Sequence, residues 1–518
     1  MVNATAYQNY QRKQDQIRQV RRGKTKIVSI PAPIGGLNTR DRYGEMPDTD
    51  APTLINMFPT SGDLKLRNGY TSHSSGVGSG NVTMIAEFKN GTTQKLIAAS
   101  ATNLYDATSD EDAATSIKAS LTGDGRWSWV MMVGKMGLVN GTDTPLTYDG
   151  SSIANMTVSG TGLTVTNLKH VNVFKNRSYF IEKNTQNCWY SAAGALGGSL
   201  TKFDMSGVAN FGGNLVSSHT WTIDGGAGPD DFMVFIFELG QVAIYKGTDA
   251  GASDWTLVGV YDMGSPVDSH SVVKLGGDLV ILTREDYVHL TQETLRAGQG
   301  LRKRTKMSGL VQSDVATYAA NAGWEGHLYP AGSMLLFNVP ISTTQFKQHV
   351  MNTTTGAWTT FEDIPSSTWG MYNNNLYFGD TSGKIFKFDT GSKDDEAAIN
   401  FEAQTAWNAL DYGAMKRITA IRPYFIHEST LTLDVGLGFD FEDITTSLTA
   451  ESEAQIGGSW DTAEWDDAYW PDEQKVNRVF LMVRGFGATV SVKLSAQVKN
   501  QNVSWHRLDY LYEPGGAM

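Results

Sequence analysis

The sequence has almost no cysteine and no long apolar run. Cys188 is the only cysteine among 518 residues, which excludes an intrachain disulfide, so we expect a chain made in a reducing cytosol. The longest strongly apolar run, residues 232–237, is far shorter than the ~18 residues of a membrane-spanning helix. The first thirty residues lack the apolar core of a secretory signal, so we expect no signal peptide.

Motifs for catalysis or metal binding are also missing. No GxSxG and no GxxxxGK[ST] sequence occurs, and Cys188 has no local signature, which favours a buried small residue over a nucleophile. The histidines lie outside any HxH or HExxH pattern, and lone histidines are usually ordinary surface or core residues: His73, His170, His219, His270, His289, His327, His349, His427 and His506. We predict no catalytic residue, no metal and no cofactor, and expect that the chain is not an enzyme.

Two acidic turns are candidate calcium-binding sites. They offer Asp106, Asp110 and Asp112 in the first turn, and Asp224, Asp230 and Asp231 in the second. Neither turn has the spacing of an EF-hand loop, which places oxygens at alternate positions around a central glycine. Solvated loops are the preferred interpretation.

What the chain does have is glycine and repeated strand patterns. With 54 glycines and 40% hydrophobic residues, the composition favours many short strands joined by tight turns, and hence an all-β fold. Apolar hairpins recur at intervals of about 40–55 residues, which is near the period of a β-propeller blade. Seven such hairpins predict six or seven blades. A long β-sandwich or a β-solenoid is the structural alternative.

One turn supports the propeller independently. The sequence TDAGASDW at residues 248–255 resembles the Asp-box turn of sialidase-type propellers, with Asp249, Gly251 and Trp255 in similar places. NTTTGAWT at residues 352–359 is a looser match. In that family the box is a structural turn remote from the catalytic site, so the resemblance favours the fold and not an enzyme.

The C-terminal region has a different pattern. Residues 392–400 form a polar break, and apolar residues then alternate strictly with polar ones over residues 431–441 and 490–498. This period of two is typical of half-buried antiparallel strands, so we predict a β-sandwich. The expected organisation is a basic arm (1–30), a strand–turn–strand that closes or braces the first blade (31–80), a β-propeller (81–391), a linker (392–400) and the C-terminal β-sandwich (401–518).

Charge is distributed unevenly. The net charge of −12 argues against a protein that coats DNA, although an acidic wall lets a duplex slide without sticking. The N-terminal arm is the basic exception, and it is either a solvated tail or a segment that docks on an acidic partner or a nucleic acid. Its candidate contact residues are Arg12, Lys13, Arg18, Arg21 and Arg22.

Two further segments are candidate contact sites. Residues 459–474 carry six acidic residues and no base, together with Trp460, Trp465 and Trp470. Because tryptophan is enriched where proteins meet, we predict a subunit interface there, with an acidic rim facing DNA or a plain hairpin as alternatives. The basic counterpart contains Arg302, Lys303 and Arg304, which could meet an acidic neighbour or a phosphate backbone, or lie in an exposed turn.

The ends of the chain resemble one family. Residues 34–70, IGGLNTRDRYGEMPDTDAPTLINMFPTSGDLKLRNGY, resemble the N-terminal signature of the tail nozzle (tail hub, DNA-stabilisation) proteins of short-tailed bacteriophages. AQTAWNALDYGAMKRITAIRPYF at residues 403–425 and DYLYEPGGAM at residues 509–518 resemble the last domain and the ending of the same family. The basic arm and the tryptophan-rich acidic segment have no counterpart in that pattern.

The resemblance implies a virion protein of the phage tail, synthesised in the cytoplasm of the host bacterium. It implies a homohexameric ring that continues the DNA channel below the portal and adaptor proteins, retains the packaged genome and carries tail fibres, spikes or a needle. Double-stranded DNA would pass through transiently during ejection, and we expect the bore to be predominantly acidic. The alternative is a monomeric β-propeller that binds or hydrolyses glycans.

Overall fold

Strands dominate the protein, as the glycine-rich hairpin pattern predicts. The computed structural model describes residues 25–110, 114–123, 125–224, 229–295, 304–410, 414–444, 446–452 and 480–515. Helix within these ranges is confined to Leu290–Leu295, Ser308–Tyr318 and the 3-10 turn Val165–Asn167. The all-β class is therefore confirmed.

The strands are numbered in chain order. They are β1 (Lys26–Pro31), β2 (Gly36–Leu37), β3 (Asp50–Ala51), β4 (Thr53–Ile55), β5 (Met57–Pro59), β6 (Leu64–Leu66), β7 (Tyr70–Ser74), β8 (Val82–Asn90), β9 (Thr93–Ser100), β10 (Asn103–Asp106), β11 (Thr115–Lys118), β12 (Ser128–Met132), β13 (Lys135–Val139), β14 (Leu146–Tyr148), β15 (Ile153–Asn155), β16 (Val158–Ser159), β17 (Leu168–Phe174), β18 (Arg177–Glu182), β19 (Asn187–Tyr190), β20 (Gly198–Ser199), β21 (Thr201–Asp204), β22 (Leu215–Asp224), β23 (Pro229–Phe237), β24 (Gln241–Lys246), β25 (Thr256–Asp262), β26 (Val272–Leu275), β27 (Asp278–Leu282), β28 (Tyr287–His289), β29 (Glu325–Tyr329), β30 (Met334–Pro340), β31 (Phe346–Asn352), β32 (Trp358–Phe361), β33 (Thr368–Tyr372), β34 (Asn375–Gly379), β35 (Ile385–Phe388), β36 (Ile399–Gln404), β37 (Lys416–His427), β38 (Leu431–Phe439), β39 (Thr446–Ser452), β40 (Gly485–Gly487), β41 (Val490–Val498) and β42 (Val503–Pro514).

The chain divides into two units. The propeller unit comprises residues 68–397, and the terminal unit combines residues 1–67 with residues 398–518. The linker that the sequence predicts at residues 392–400 thus spans the observed division, whereas the N-terminal segment predicted as residues 31–80 is split between the two units.

Seven small antiparallel sheets make up the propeller unit. Their strands are β8–β11, β12–β15, β17–β18–β19–β21, β22–β25, β26–β28, β29–β32 and β33–β34–β35–β7. The inner strands of successive sheets pack together, and β33 of the last sheet packs against β8 of the first, which closes a ring. The propeller prediction is confirmed, and of the six or seven predicted blades the described residues form seven.

The ring is closed by a strand from the start of the unit. β7 adds to the outer edge of the last blade, where Thr71 pairs with Lys387 and Tyr70 with Phe388. Residues 31–80 thus supply the closing strand, which joins the last blade, and their predicted role in closing or bracing the first blade stays a prediction. The strand pattern was visible in the sequence, but its partner lies some 300 residues away, and a local pattern does not specify such a pairing.

The terminal unit contains two antiparallel sheets built from both ends of the chain. One has the order β40–β37–β42–β6–β5, with β1 also paired to β42, and the other contains β4–β36–β41–β38–β39. Side chains of the two sheets meet, for example the rings of Phe401 and Phe425 at 6.2 Å. The sandwich predicted for residues 401–518 alone stays a prediction, because these sheets also take in strands from residues 26–66.

Candidate functional site: the axial cavity of the propeller

A small cavity lies on the axis of the propeller unit. Its volume is about 190 Å³, and every blade contributes residues from or next to its first strand. The ionisable side chains among these lining residues are Arg126, His170, His219, His270, Glu325 and His327. The seven-bladed ring therefore brings four histidines, one arginine and one glutamate together on its axis.

His170 is held neutral in the wall of this cavity. Its Nε2 lies 2.9 Å from the carbonyl oxygen of Ser218, and its Nδ1 lies 3.4 Å from the hydroxyl of Ser128. Burial disfavours the charged imidazolium and lowers the pKa of His170 to about 4, although the bond to the Ser218 carbonyl opposes this shift. The carbonyl requires a donor, so Nε2 carries the proton and Nδ1 accepts from the serine.

The ring of His219 lies beside that of His170, with centroids 5.2 Å apart. Burial, followed by the neighbouring His170, holds the pKa of His219 well below its ordinary value. The Nε2 of His219 contacts the hydroxyl of Ser217 at 3.0 Å. Two adjacent blades thus present neutral imidazoles to the axis.

His270 is hydrogen-bonded on both ring nitrogens. Its Nδ1 lies 3.0 Å from the carboxylate of Asp268, and its Nε2 lies 3.3 Å from the carbonyl oxygen of Trp127. Burial opposes ionisation of Asp268, but the hydrogen bonds and charge of His270, with the charge of Arg126, hold its pKa well below the usual range. Asp268 is therefore a carboxylate at neutral pH.

A buried ion pair links the second, sixth and seventh blades. The Arg126 guanidinium donates to the Glu325 carboxylate and, at 2.8 Å, to the carbonyl oxygen of Trp324. The backbone N–H of Trp369 and the hydroxyl of Thr368 also donate to Glu325. Burial opposes ionisation of Glu325, but chiefly the charge of Arg126 brings its pKa below the ordinary value.

These contacts describe a structural polar core. The pKa values of Asp268 and Glu325 are both lowered, so neither is a proton-bearing acid of the kind that glycoside hydrolysis requires. Within the described ranges, no group of three or more His, Cys, Asp or Glu side chains is arranged to hold a metal ion. The cavity can accommodate a few water-sized molecules, at roughly 30 Å³ each.

Sequence reasoning missed this cluster because it took each histidine singly. His170, His219, His270 and His327 follow one another at about 50 residues, which is the interval of the blades themselves. A residue type that recurs with the repeat period occupies equivalent positions around the ring. That recurrence was the available signal.

The contact residues predicted from the sequence lie mostly outside the described ranges. This applies to the interface candidates Trp460, Trp465 and Trp470, and to the basic candidates Arg12, Lys13, Arg18, Arg21, Arg22, Arg302 and Lys303. Arg304 is described, and its guanidinium lies 4.0 Å from the carboxylate of Glu285 on the surface. The roles of all these candidates therefore stay predictions.

Three carboxylates of the acidic turns have protein partners, and Asp110 is described as an exposed residue. Asp106 pairs with Lys95 at 2.9 Å, Asp230 pairs with Lys246 at 3.1 Å, and Asp231 accepts from the hydroxyl of Thr222 at 2.8 Å. Asp112 and the side chain of Asp224 lie outside the described part. Solvated turns remain the preferred interpretation.

The Asp-box-like sequence is a turn between β24 and β25, the outer strands of the fourth blade. The Asp249 carboxylate accepts the N–H of Gly251 at 2.9 Å and pairs with Arg177 at 2.9 Å. Trp255 stacks on Tyr245 with centroids 5.4 Å apart. None of these five residues lines the axial cavity, so the turn serves the packing of the blade.

Cys188 is buried, as the sequence predicts, and burial raises the pKa of its thiol. That environment disfavours the thiolate, which is the nucleophilic form.

No helix in the described residues is long and apolar enough to cross a membrane.

No protein-family model and no curated protein matches the chain. Among solved structures it is similar to BBS1N in complex with ARL6DN, with TM-score 0.40, 9% identity, and coverage of 64% of this chain and 100% of that one. It is also similar to YCF48 bound to D1 peptide, with TM-score 0.39, 9% identity, and coverage of 67% of this chain and 99% of that one. A third similar structure is an exo-beta-1,3-galactanase from Phanerochaete chrysosporium with galactose, with TM-score 0.30, 8% identity, and coverage of 73% of this chain and 95% of that one. At these TM-scores the likenesses carry no argument.

Proposed function

We propose that this chain is a structural protein of the tail of a short-tailed bacteriophage, where it forms the nozzle or hub. The supporting observation is that the described residues of the three segments resembling that family lie in the terminal unit, apart from residues 68–70. β4 pairs with β36, and β6 and β37 both pair with β42, so residues from 34–70, 403–425 and 509–518 share two sheets. The resemblance thus covers one folding unit.

Residues of the resembling segments hold this unit together. Arg67 is 2% exposed, and its Nε donates to the side-chain oxygen of Asn56 at 2.8 Å. The amide of Asn56 in turn donates to the carbonyl oxygen of Asn400 at 2.7 Å. A buried guanidinium with such partners fixes the N-terminal segment against β36. These residues are scaffold, which suits an assembly protein.

In this proposal the chain forms a homohexameric ring and performs no covalent chemistry. The ring adjoins the portal and adaptor proteins, carries fibres, spikes or a needle, retains packaged DNA and lets it pass during ejection. The axial cavity, at about 190 Å³, is less than 6 Å across if it is treated as a cube. A DNA duplex is wider than its major groove, which is about 12 Å wide, so a duplex does not fit into this cavity. The DNA path therefore runs between subunits, along an acidic bore that repels phosphates. A broadly basic bore in the assembled ring would contradict that part.

Particles assembled without this chain test the function. We expect heads that package DNA but lose it, and that lack the distal tail parts. Supplying the intact chain in trans should restore both properties. Particles that retain full-length DNA and complete tails in its absence would overturn the proposal.

The glycosidase alternative receives no support from the carboxylates around the axial cavity. Its acid would need a raised pKa, whereas the pKa values of Glu325 in the cavity wall and of Asp268, which contacts His270, are lowered.

A further inference from the structure

The terminal unit presents a flat pair of aromatic rings to solvent. Tyr43 and Phe441 are 50% and 46% exposed, and their rings are stacked with nearly parallel planes, at 10°, and centroids 6.5 Å apart. The buried ring of Trp407 packs behind both, at 6.4 Å and 5.3 Å. We call Tyr43, Phe441 and Trp407 the aromatic platform.

The backbone holds this platform in a costly conformation. Asp440 and Phe441 both have positive φ, at 51° and 69°, and the left-handed region is unfavourable for a bulky residue such as Phe441. The Asp440 carboxylate fixes the turn by accepting the N–H groups of Ala488 and Thr489 at 2.8 and 2.9 Å. The exposed ring is therefore positioned by the fold.

The surroundings of the platform are acidic. Glu45, Glu442 and Asp443 adjoin its two exposed rings in sequence and are themselves exposed, whereas Arg42 is the one neighbouring base. Aromatic faces flanked by carboxylates suit an arginine, because a guanidinium stacks on a ring while its N–H groups pair with carboxylates. The same charge disfavours the acidic segment 459–474 and nucleic acid as occupants.

The basic arm of the chain starts close by. Lys26 on β1 pairs with Tyr512, Tyr512 pairs with Ile418, and Ile418 pairs with Gly485 on β40. This row crosses three strand spacings, or roughly 14 Å. A Cβ added at Gly485 would contact the ring of Phe439, two residues before Phe441. The row therefore leads from the start of the arm to the platform.

The length of the arm fits this distance. Arg21 and Arg22 lie five and four residues before Lys26, and an extended chain spans about 3.3–3.6 Å per residue. The backbone at either arginine can therefore reach roughly 13–18 Å from Lys26, which matches the row as far as Gly485. The long arginine side chain extends beyond that point, towards Phe439 and the platform. Tethering raises the effective concentration of the arm at the platform, so even a weak contact is populated.

We propose that the aromatic platform of the terminal unit binds the chain's own basic arm, through Arg21 and Arg22. Docking withdraws these arginines from other acidic partners and from nucleic acid. The contact is made within one chain, so it exists before any ring assembles and does not depend on the proposed function.

Trypsin provides the first test, because it cleaves after Arg21 and Arg22. In the full-length protein, Tyr43→Ala and the double variant Glu442→Gln/Asp443→Asn should each raise the initial cleavage rate at these sites roughly two- to fivefold. Phe211→Ala removes a 57% exposed ring of the propeller unit and should leave the rate unchanged. Unchanged cleavage in both platform variants, with folding verified by circular dichroism, would overturn the proposal.

A cysteine pair identifies the source of the arm. Gln19→Cys combined with Gly44→Cys should form a disulfide within one chain, at a yield independent of protein concentration, while the buried Cys188 stays reduced. A disulfide only between chains, increasing with concentration, would overturn binding within one chain in favour of a second copy. Protection from trypsin that requires added duplex DNA would assign the arm to nucleic acid instead.

Discussion

The two units of this protein are assembled from strands at very different distances along the chain. Among the described residues of the propeller unit, a blade is a run of neighbouring hairpins, with β7 as the one strand that comes from elsewhere in the unit. In the terminal unit β1 pairs with β42, and the hydroxyl of Ser29 donates to the carboxylate of Asp509 across 480 residues of sequence. In sequence, the propeller unit, whose strands pair with near neighbours, is inserted between the two halves of the terminal unit, whose strands pair across most of the chain.

This difference has energetic consequences. Non-local pairings carry the entropy of closing a long loop before any contact compensates it, whereas blade hairpins close short loops. We therefore expect damage to the terminal unit to leave most blades folded, and damage inside a blade to spread around the ring through its neighbours. The following changes test that asymmetry.

Trp505→Ala should produce the largest effect. Trp505 is fully buried, stacks on Phe425 at 5.7 Å, and donates its indole N–H to the carbonyl oxygen of Arg507 at 3.0 Å. Its truncation should cost the terminal unit about 3–5 kcal/mol. Hydrogen exchange should show protection lost in β37 and β42 but retained in β8–β9. Phe486→Ala, at a 55% exposed ring on β40, is the control; equal loss in the blades would break the comparison.

Asp314→Asn should destabilise the propeller unit by about 3 kcal/mol. The buried carboxylate of Asp314 contacts Lys347 Nζ and His349 Nε2, each at 2.8 Å, and His349 Nδ1 lies 2.7 Å from the hydroxyl of Tyr287. An amide removes the counter-ion and leaves the lysine charge uncompensated. Urea unfolding measures the change. Asp230→Asn, at an exposed pair with Lys246, should cost under about 1 kcal/mol, and a similar loss in both would contradict the account.

Gly69→Ala tests the closure of the ring and should cost about 1–3 kcal/mol. A Cβ at Gly69 would lie 1.7 Å from the carbonyl oxygen of Lys393, so the backbone beside β7 must move. Thermal unfolding and exchange at β7 and β35 measure the effect. At Gly62 an added Cβ meets nothing within 4 Å, so Gly62→Ala should be nearly neutral. A neutral Gly69→Ala would show that this junction does not contribute to stability.

At neutral pH His170→Gln should have the smallest effect of these changes, and its main consequence should appear in acid. The pKa of His170 in the folded protein, about 4, lies below the ordinary 6.5. Between these two pH values the unfolded chain therefore binds more protons than the folded protein. The stability associated with neutral His170 is complete above pH 6.5 and is lost as pH falls towards 4, by up to about 1.4 kcal/mol per pH unit. His170→Gln should reduce that slope, as measured by urea unfolding at successive pH values. An unchanged slope would exclude His170 as a buried neutral group.

The comparison also explains what the sequence could predict. Repeated hairpins predicted the propeller because blade contacts are local, and the alternation of Val490, Val492 and Leu494 predicted β41 for the same reason. The partners of β4, β6 and β7 could not be predicted, since a strand pattern specifies a face and not a distant neighbour. The axial cluster of His170 and His219 was missed because it exists only once blades surround an axis.

Electron cryo-microscopy of the native particle that contains this chain tests the central claim most directly. Purified protein is less decisive, because a ring component can remain monomeric until its neighbours are present. The account predicts six copies around a continuous channel between the portal side and the distal tail, with the duplex path between subunits. A single isolated propeller with a ligand at its axis would contradict it.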